Sequence, residues 1–565
     1  MFHVKHSRIG GETNIMQYTA DFETITDPED CRVWASGICS IDEKLDFKYG
    51  NDIDFFFDFA KYHPASTFYF HNLKFDGEFI LNWLFRNDFN HSLERKLYKN
   101  EFSTLISDKG QWYSIKICFN DNEFVTIYDS LKIIPFGVEA VAKAFDLPIK
   151  KGTIDYNKYR EIGHILTEKE TDYLRNDVEI MARALCLMFK QGLCEMTQGS
   201  NALKDYKRII GSKNFKRWFP VPGYDYDVRQ SYKGGFTYCD SRTQGRDIEE
   251  GIVLDVNSLY PSVMYYEKLP YGEGKFFDGK YIPDKLYDLY VQMFTCSFNI
   301  KDKHIPTLQL KNNLSFVPTD YLETSNGEEV TLCMTNVDYE LFRKHYHVHN
   351  IQFHSGWKFK STTELFKEYI DKWNKVKMES TLNGNVGMRT LAKLMLNALY
   401  GKFALNPNVC SKIPYFDEDM VKYRKGEAET RDPIYIPVGT FITAYARRKT
   451  ISSAQKVYDR FLYADTDSLH LIGTDLPKDL EIDPVKLGAW KHESTFTRAR
   501  FIRQKTYVEE IDGKLEVTCA GMPSRCYEHV TWDNFKVNSQ FAGKLQFTHV
   551  PGGIVLKDID FTIKE

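Results

Sequence analysis

The chain of 565 residues and 66.1 kDa is long enough for two to four domains. Its formal charge of −4 excludes a uniformly basic protein, so any surface for nucleic acid has to be local. Eleven cysteines, without a Cys-x-x-Cys pair, favour reduced thiols over a disulfide framework or a zinc site. No apolar run reaches membrane-spanning length, and residues 1–15 read as a loosely held leader without the apolar core of a secretory signal.

Two predicted strands near the N-terminus carry acidic side chains. The stretch Gln17–Thr24 reads as a strand in which Asp21 and Glu23 point to one face, because successive strand residues alternate. A second strand, Thr67–Phe70, is followed by helical spacing over residues 78–85. Asp76 therefore falls at a strand-to-helix junction, where α/β sheets often place a functional carboxylate.

A third acidic position lies on a predicted helix. Thr167 and Glu170 have capping-box spacing, which predicts a helix from there to about residue 189. Tyr173 and Asp177 are four residues apart and share a face of that helix. Each carboxylate alone is more often a cap or a surface charge, but four of them from three segments could converge on a pair of metal ions.

The second half of the chain contains a short acidic tip between two apolar runs. Residues 461–472 predict a buried hairpin with Asp465 and Asp467 at its tip. Two carboxylates about 4 Å apart repel by about 4 kcal/mol at an effective dielectric of ~20, and a divalent cation would remove that cost. The alternative is a solvated acidic turn.

An earlier apolar strand, residues 251–254, ends in Asp255, and a polar turn then carries Tyr260. One interpretation is that Asp255 joins the two later aspartates across a sheet, and the other is that it merely caps a turn. Tyr232 and Lys233 precede a glycine pair, Gly234 and Gly235, which would let backbone approach a phosphate. Taken alone, this segment could also be an ordinary turn.

Residues 388–403 predict one amphipathic helix. Its polar face carries Arg389, Lys393, Asn397 and Tyr400. A helix presents such side chains about every 6 Å, which suits a triphosphate, and Lys377 is a possible further contact. The alternative is a solvated charged face.

The N-terminal motifs, Asp-x-Glu, Asn-x-x-Phe-Asp and Tyr-x-x-x-Asp, resemble those of proofreading 3′→5′ exonuclease domains. The resemblance implies a ribonuclease H-like fold in which two metal ions are held by Asp21, Glu23, Asp76 and Asp177. It further implies that Tyr173 orients the attacking water and that Lys151, a loop cation by sequence alone, acts at the scissile phosphate. The 3′ end of a single strand would contact His71, Asn72 and Phe75, with Phe75 as a stacking platform.

Three later motifs follow the order of motifs A, B and C of family B DNA polymerases: Asp255-x-x-Ser-Leu-Tyr260, Lys393-x-x-x-Asn397-x-x-Tyr400-Gly401 and Tyr463-x-Asp465-Thr-Asp467. The match is closest to the small protein-primed polymerases of Bacillus-type phages and runs nearly end to end. It implies two Mg²⁺ ions per active site, which Mn²⁺ can replace. In the polymerase site these would be held by Asp255, Asp467 and the backbone of Val256, with Asp465 assisting. DNA contacts would come from Tyr232, Lys233, Gly234, Gly235, Arg447, Lys505 and Tyr507.

Tyr260 would then lie beneath the incoming sugar and leave no room for a 2′-hydroxyl. The implied fold class is an α+β multidomain protein, with a ribonuclease H-like 3′→5′ exonuclease domain and a right-hand polymerase domain. The expected divisions are exonuclease 1–197; polymerase 198–565, with palm about 198–266 and 437–523; first insertion about 267–364; fingers about 365–404; second insertion about 405–436; and thumb about 524–565.

These motifs together predict a DNA-directed DNA polymerase with proofreading that copies a linear viral-type genome by protein priming and strand displacement. Its partners would be template and primer DNA, dNTPs and a terminal protein bound at the first insertion, in the cytoplasm of a bacterial host. We expect a monomer, or a heterodimer with the terminal protein, and no membrane contact. One alternative is a reverse transcriptase-like polymerase, although those tend to carry Tyr-x-Asp-Asp. Another is a non-enzymatic single-strand-binding protein on a decayed scaffold, which should have lost some carboxylates.

Overall fold

The computed structural model describes residues 16–25, 27–156, 158–309 and 321–564. The leader predicted at residues 1–15 lies outside this described part of the chain. None of the helices within these ranges combines the length and the apolar character needed to cross a membrane. The described α-helices are Asp54–Tyr62, Leu73–Arg86, Val138–Ala144, Glu168–Lys190, Gln198–Ile210, Ser212–Trp218, Asp225–Arg229, Leu259–Tyr266, Asn336–His345, Lys367–Leu382, Val386–Ala398, Tyr400–Phe403 and Ile436–Lys456.

The N-terminal part is a mixed sheet with helices on both faces. Its strands lie in the order Phe47–Gly50, Val33–Ser40, Gln17–Thr24, Thr67–Phe70, Glu123–Asp129, Trp112–Asn120, Glu101–Ile106 and Asn90–His91. Along the strand Thr67–Phe70, Phe70 packs in one core with Phe79 of the helix Leu73–Arg86. Tyr69 points to the opposite face and meets Phe189 of the helix Glu168–Lys190, with ring centroids 5.5 Å apart. The predicted strands and the predicted capping box at Thr167 are confirmed.

A second, antiparallel sheet forms the centre of the C-terminal part. Its strands lie in the order Trp490–Phe496, Gly251–Val256, Ser468–Ile472, Phe461–Asp465 and Thr237–Cys239. The buried hairpin predicted at residues 461–472 is confirmed, and the strand that ends near Asp255 pairs directly with it. The long helix Ile436–Lys456 is buried over most of its length and contributes to the core beneath this sheet.

The remaining strands form smaller sheets around this centre. One sheet has the order Leu269–Asp278, Tyr346–Thr362, Leu289–Ile300 and Val330–Thr335, and another has the order Asp247–Ile248, Arg498–Arg503, Thr506–Ile511 and Lys514–Cys519. Three strand pairs complete the described part: Leu308–Gln309 with Tyr321–Leu322, Asn408–Asp417 with Met420–Thr430, and Gln540–Val550 with Gly553–Thr562. The second of these pairs is a hairpin that lies within residues 405–436, the expected second insertion. The molecule is an α+β multidomain protein that combines a ribonuclease H-like domain with a right-hand palm, fingers and thumb, as predicted.

One local prediction was wrong. The single helix expected over residues 388–403 is interrupted after Ala398, next to a turn whose carbonyls accept hydrogen bonds from side chains. Tyr369 donates from its hydroxyl to the Met395 carbonyl at 2.7 Å, and Gln198 donates to the Leu394 carbonyl at 2.8 Å. The helix Gln198–Ile210, which Thr197 caps, begins at the expected boundary between the two domains.

Candidate active sites

The ribonuclease H-like sheet brings three predicted carboxylates together. Asp21, Glu23 and Asp177 each offer an oxygen that lies within 4.8 Å of the other two. The two strand residues reach Asp177 because they share a face with Thr19, whose hydroxyl donates to the Val178 carbonyl at 2.8 Å. Sheet alternation and helix phase therefore produce the predicted convergence.

The negative charges of this cluster are not balanced by nearby positive charges, as the raised pKa values of its carboxyl groups indicate. Burial, and then repulsion from Asp177, raises the pKa of Asp21 to about 7. Burial and neighbouring carboxylates also raise the pKa of Glu23 well above its usual range. Lys151 pairs with Asp177 Oδ2 at 2.6 Å, whereas no donor within the described ranges reaches the buried Asp177 Oδ1. A buried, unpartnered carboxylate oxygen among other carboxylates fits a divalent cation.

Asp76 lies beside this cluster rather than within the set of three. It is buried in the first turn of the helix Leu73–Arg86, and its Oδ1 accepts from the Phe22 backbone at 3.3 Å. Burial, followed by repulsion from Asp21, raises its pKa well above the usual range. The junction is held by Asp129, which sequence reasoning missed and which accepts from the Asn72 backbone at 3.1 Å.

Tyr173 faces the same cluster and has a partner that the sequence did not reveal. Its hydroxyl is hydrogen-bonded to that of Tyr156, a half-exposed residue in the loop that also carries Lys151. The Lys151 ammonium lies 5.4 Å from the centre of the Tyr173 ring. Tyr156 had no periodic or motif signal, because its loop has neither helical nor strand spacing.

The residues expected to hold a DNA 3′ end have different environments. Asn72 is exposed, and Phe75 is half-buried with its ring centroid 6.4 Å from that of Phe547. His71 is bound internally, through Nδ1 to the Ser130 hydroxyl at 3.0 Å and through Nε2 to the Phe136 carbonyl at 2.7 Å. Burial lowers the pKa of His71 to about 4, so the ring is neutral near pH 7. Both ring nitrogens of His71 already have protein partners, and its contact with DNA stays a prediction.

The palm sheet places the other predicted carboxylates side by side. Asp255 is paired in register with Ser468, and the Val256 N–H donates to the Asp467 carbonyl at 2.8 Å. Burial, and then repulsion from Asp255, raises the pKa of Asp467 to about 6. Asp255 and Asp467 are therefore near enough to interact electrostatically, and their carboxylate donor set fits a divalent cation.

Asp465 points towards a different set of partners. Its carboxylate accepts from the Lys505 ammonium at 2.8 and 2.9 Å and from the Thr237 hydroxyl at 3.0 Å. The Lys505 N–H also donates to the Tyr463 hydroxyl at 2.8 Å. The Tyr507 ring lies tilted against that of Tyr463 with centroids 5.0 Å apart, so Lys505 and Tyr507 both contact the hairpin that carries the aspartates.

Aromatic and cationic side chains line the space beside these carboxylates. The rings of Tyr260 and Tyr400 stack at 3.9 Å, and Asn397 is exposed on the adjoining helix. Burial lowers the pKa of Lys377, and repulsion from neighbouring cations lowers it further. Those cations, in decreasing order of effect, are Lys393, Arg389 and Lys491. Lys377, Arg389 and Lys393, the predicted phosphate-binding cations, thus lie near one another. Lys491, which the sequence did not suggest, lies near them as well.

The loop with Lys233 and the glycine pair approaches the same region. A Cβ added to Gly235 would lie 2.7 Å from the Thr466 hydroxyl and 3.1 Å from the Tyr260 hydroxyl. Gly235 therefore needs to be glycine because of close approach to the protein itself. Arg447 is buried, pairs with Asp338 at 2.7 Å, and donates to the Lys233 carbonyl at 2.7 Å. The Arg447 guanidinium is enclosed and holds this loop in place, and its contact with DNA stays a prediction.

A palm with adjacent aspartates opposite a cationic helix, joined to a ribonuclease H-like domain, defines a right-hand nucleic-acid polymerase. A family model described as "DNA polymerase type B, organellar and viral" matches residues 62–170 and 157–483. The DNA polymerase of Bacillus phage phi29 is 48% identical over 97% of this chain and 99% of the relative, and that of Streptococcus phage Cp-1 is 34% identical over 97% and 98%. A solved structure of the phi29 polymerase with primer-template DNA and incoming nucleotides matches with a TM-score of 0.92 at 46% identity, covering 97% of this chain and 100% of that one. The chain belongs to the type B DNA polymerases and is a DNA-directed DNA polymerase of the phi29 type.

Proposed function

We propose that this DNA polymerase corrects its own errors, with nucleotide addition at the palm cluster and 3′→5′ hydrolysis at the ribonuclease H-like cluster. The observation that carries the proposal is the presence of two separate carboxylate groups, each with its own lysine. Lys151 pairs with Asp177 in one group, and Lys505 pairs with Asp465 in the other. Two such centres suit two opposed phosphoryl-transfer reactions on one DNA end.

In the palm, Asp255, Asp467 and the Val256 backbone would hold two Mg²⁺ or Mn²⁺ ions. When bound, such ions lower the pKa of the primer hydroxyl and neutralise the pyrophosphate leaving group. The nearby cations bind the triphosphate: Lys377, Arg389 and Lys393. Tyr260, fixed by its stack on Tyr400, closes the space beside the sugar and selects against a 2′-hydroxyl.

In the ribonuclease H-like domain, the metal-holding residues would be Asp21, Glu23, Asp76 and Asp177. Lys151 supplies positive charge at the scissile phosphate, and the Tyr173 hydroxyl orients the attacking water. Phe75 stacks on a terminal base, since its ring is only half-buried.

The substrate we propose is primer-template DNA, and the phi29 polymerase has been solved with primer-template DNA, with single-stranded DNA and with incoming nucleotides. The hairpin Asn408–Asp417 with Met420–Thr430 supports processive strand displacement, because it contacts the helix Leu73–Arg86 of the ribonuclease H-like domain. Tyr423 donates to Glu78 at 2.8 Å, and His549 of the C-terminal hairpin contacts the same carboxylate at 3.3 Å. We further propose that a terminal protein primes synthesis by docking on residues 267–364, in the cytoplasm of a bacterial host.

A primer labelled at its 5′ end tests both activities at once. With Mg²⁺ and a template, we expect longer products when dNTPs are present and shorter products when they are absent. A preparation that lengthens the primer but never shortens it would contradict the proofreading part. Transfer of a labelled nucleotide to a candidate terminal protein, without any DNA primer, would test protein priming separately.

A further inference from the structure

A lysine outside every predicted motif lies between the palm carboxylates and the cationic helix. Lys491 is in the edge strand Trp490–Phe496 and is paired in register with Asp255. Opposed residues of antiparallel strands have Cβ atoms about 5 Å apart on one face of the sheet. The Lys491 ammonium accordingly lies 3.5 Å from Asp255 Oδ1. Strand register therefore places the Cβ of Lys491 beside Asp255, a predicted metal ligand.

The other neighbours of Lys491 are phosphate-binding candidates and one acid. Lys491 is among the cations whose repulsion lowers the pKa of both Lys377 and Lys393. It also forms an ion pair with Glu493, two residues further along the same strand. The Lys491 side chain is 31% exposed, so it has room to change rotamer. One cation is thus within electrostatic reach of the carboxylates and of the expected triphosphate position.

We propose that Lys491 is a phosphate-contacting residue of the polymerase site that rests on Asp255 until a nucleoside triphosphate and its divalent cation bind. The inference rests on the proposed palm function. An ammonium and a divalent cation compete for Asp255 Oδ1, because the two positive charges repel. The anions then available to Lys491 are Glu493 and the β- and γ-phosphates beside Lys377 and Lys393. An ammonium group binds phosphate well as a compact charge.

This role predicts opposite effects on two ligands. Removing the Lys491 charge weakens nucleotide binding, because one charge-assisted contact is lost. The same change strengthens cation binding at Asp255, because the competing ammonium is gone. A merely structural ion pair would leave nucleotide binding unchanged.

The test compares Lys491→Met with Lys491→Arg, and with Lys486→Met as a matched control on an exposed lysine of the same segment. Full-length enzyme is bound to a primer-template whose primer ends in a dideoxynucleotide, so that no turnover occurs. The dissociation constant of the matching dNTP is measured by fluorescence, and the Mg²⁺ affinity without dNTP by calorimetry. We expect Lys491→Met to bind dNTP about tenfold more weakly and Mg²⁺ more tightly. The arginine variant and the control should stay within about twofold of the wild type for dNTP.

An unchanged dNTP dissociation constant in Lys491→Met overturns the inference, and so does a loss of turnover rate with unchanged dNTP affinity. If that variant does not fold, as judged by its melting curve, Lys491→Gln replaces it with the same expectations. Primer extension by the wild type distinguishes the two levels of proposal. No extension by the wild type would refute the proposed palm function, whereas extension with unaltered nucleotide affinity in the variants would refute only the role of Lys491.

Discussion

The two carboxylate clusters differ in how far they are enclosed. The Asp177 side chain is 6% exposed and belongs to a mostly buried group of carboxylates, and it pairs with Lys151. Asp255 and Asp465 are 31% and 21% exposed, and each contacts a lysine of its own. The ribonuclease H-like cluster is thus preassembled and short of positive charge. The palm cluster is open, and protein cations occupy its carboxylates.

This difference matches the chemistry proposed for each site. A hydrolytic site needs only water and a strand end, so its metal ligands can be fixed in a buried position. A polymerising site must admit a new triphosphate in each cycle, so its carboxylates have to stay accessible and exchange partners. In the ribonuclease H-like cluster the fixed carboxylates repel one another in the folded protein. In the palm cluster, lysines that can change partners reduce this repulsion until substrate binds.

The largest expected effect comes from removing one cluster at a time. Asp467→Ala should reduce primer extension by about a thousandfold or more, because a ligand for transition-state charge is lost, and should leave 3′ degradation intact. Asp21→Ala combined with Asp76→Ala should do the opposite. Both activities are read from the 5′-labelled primer. If one of these variants stays folded and loses both activities, the separation of the two clusters is wrong.

A second prediction tests the lysine that pairs with Asp177 in the ribonuclease H-like cluster. Lys151→Met should lower 3′ degradation about a hundredfold, since the ammonium that pairs with Asp177 is removed, and should not change extension. Lys150→Met is the matched control, because Lys150 is adjacent in sequence and exposed. Rates are compared under single-turnover conditions on single-stranded DNA. Equal rates for the two variants would show that Lys151 has no role at the scissile phosphate.

Local pattern explains why much of both sites could be predicted. The alternation that aligns Asp21 with Glu23 and the capping box at Thr167 are properties of short segments. Burial and pairing depend instead on residues far away in the chain. Arg447 is enclosed because Asp338 comes from another helix, and His71 is bound by a carbonyl of a distant loop. Lys491 carried no signal for the same reason, since only strand register places it on Asp255.

A third prediction concerns the contact between the hairpin Asn408–Asp417 with Met420–Thr430 and the ribonuclease H-like domain. Tyr423→Phe removes the hydroxyl that donates to the buried Glu78, and should cost about 1–2 kcal/mol because a carboxylate oxygen loses a partner. We expect a melting temperature lower by a few degrees and shorter products at limiting enzyme. Tyr415→Phe is the control on the same hairpin, because Tyr415 is exposed. If both variants match the wild type, the contact does not hold the hairpin to the helix Leu73–Arg86.

The smallest expected effect is a dependence of metal-free stability on pH that differs between the halves. Burial and repulsion raise the pKa of Asp21 to about 7 and that of Asp467 to about 6, each from an ordinary value of 3.8. The folded state therefore holds these protons more tightly than the unfolded chain. Their stabilising contribution is complete below pH 3.8 and is lost as pH rises through the raised pKa values.

In chelator, the melting temperature of the wild type should consequently fall by more between pH 5 and 7 than that of Asp21→Asn, which has no proton to lose at this position. Asp467→Asn should flatten the profile less, and over a window that ends about one unit lower. Saturating Mg²⁺ should remove most of the difference between the wild type and Asp21→Asn, because bound cations replace the lost protons. Parallel plots of melting temperature against pH for all three proteins would mean that carboxylate repulsion is no stronger in the ribonuclease H-like cluster than in the palm cluster.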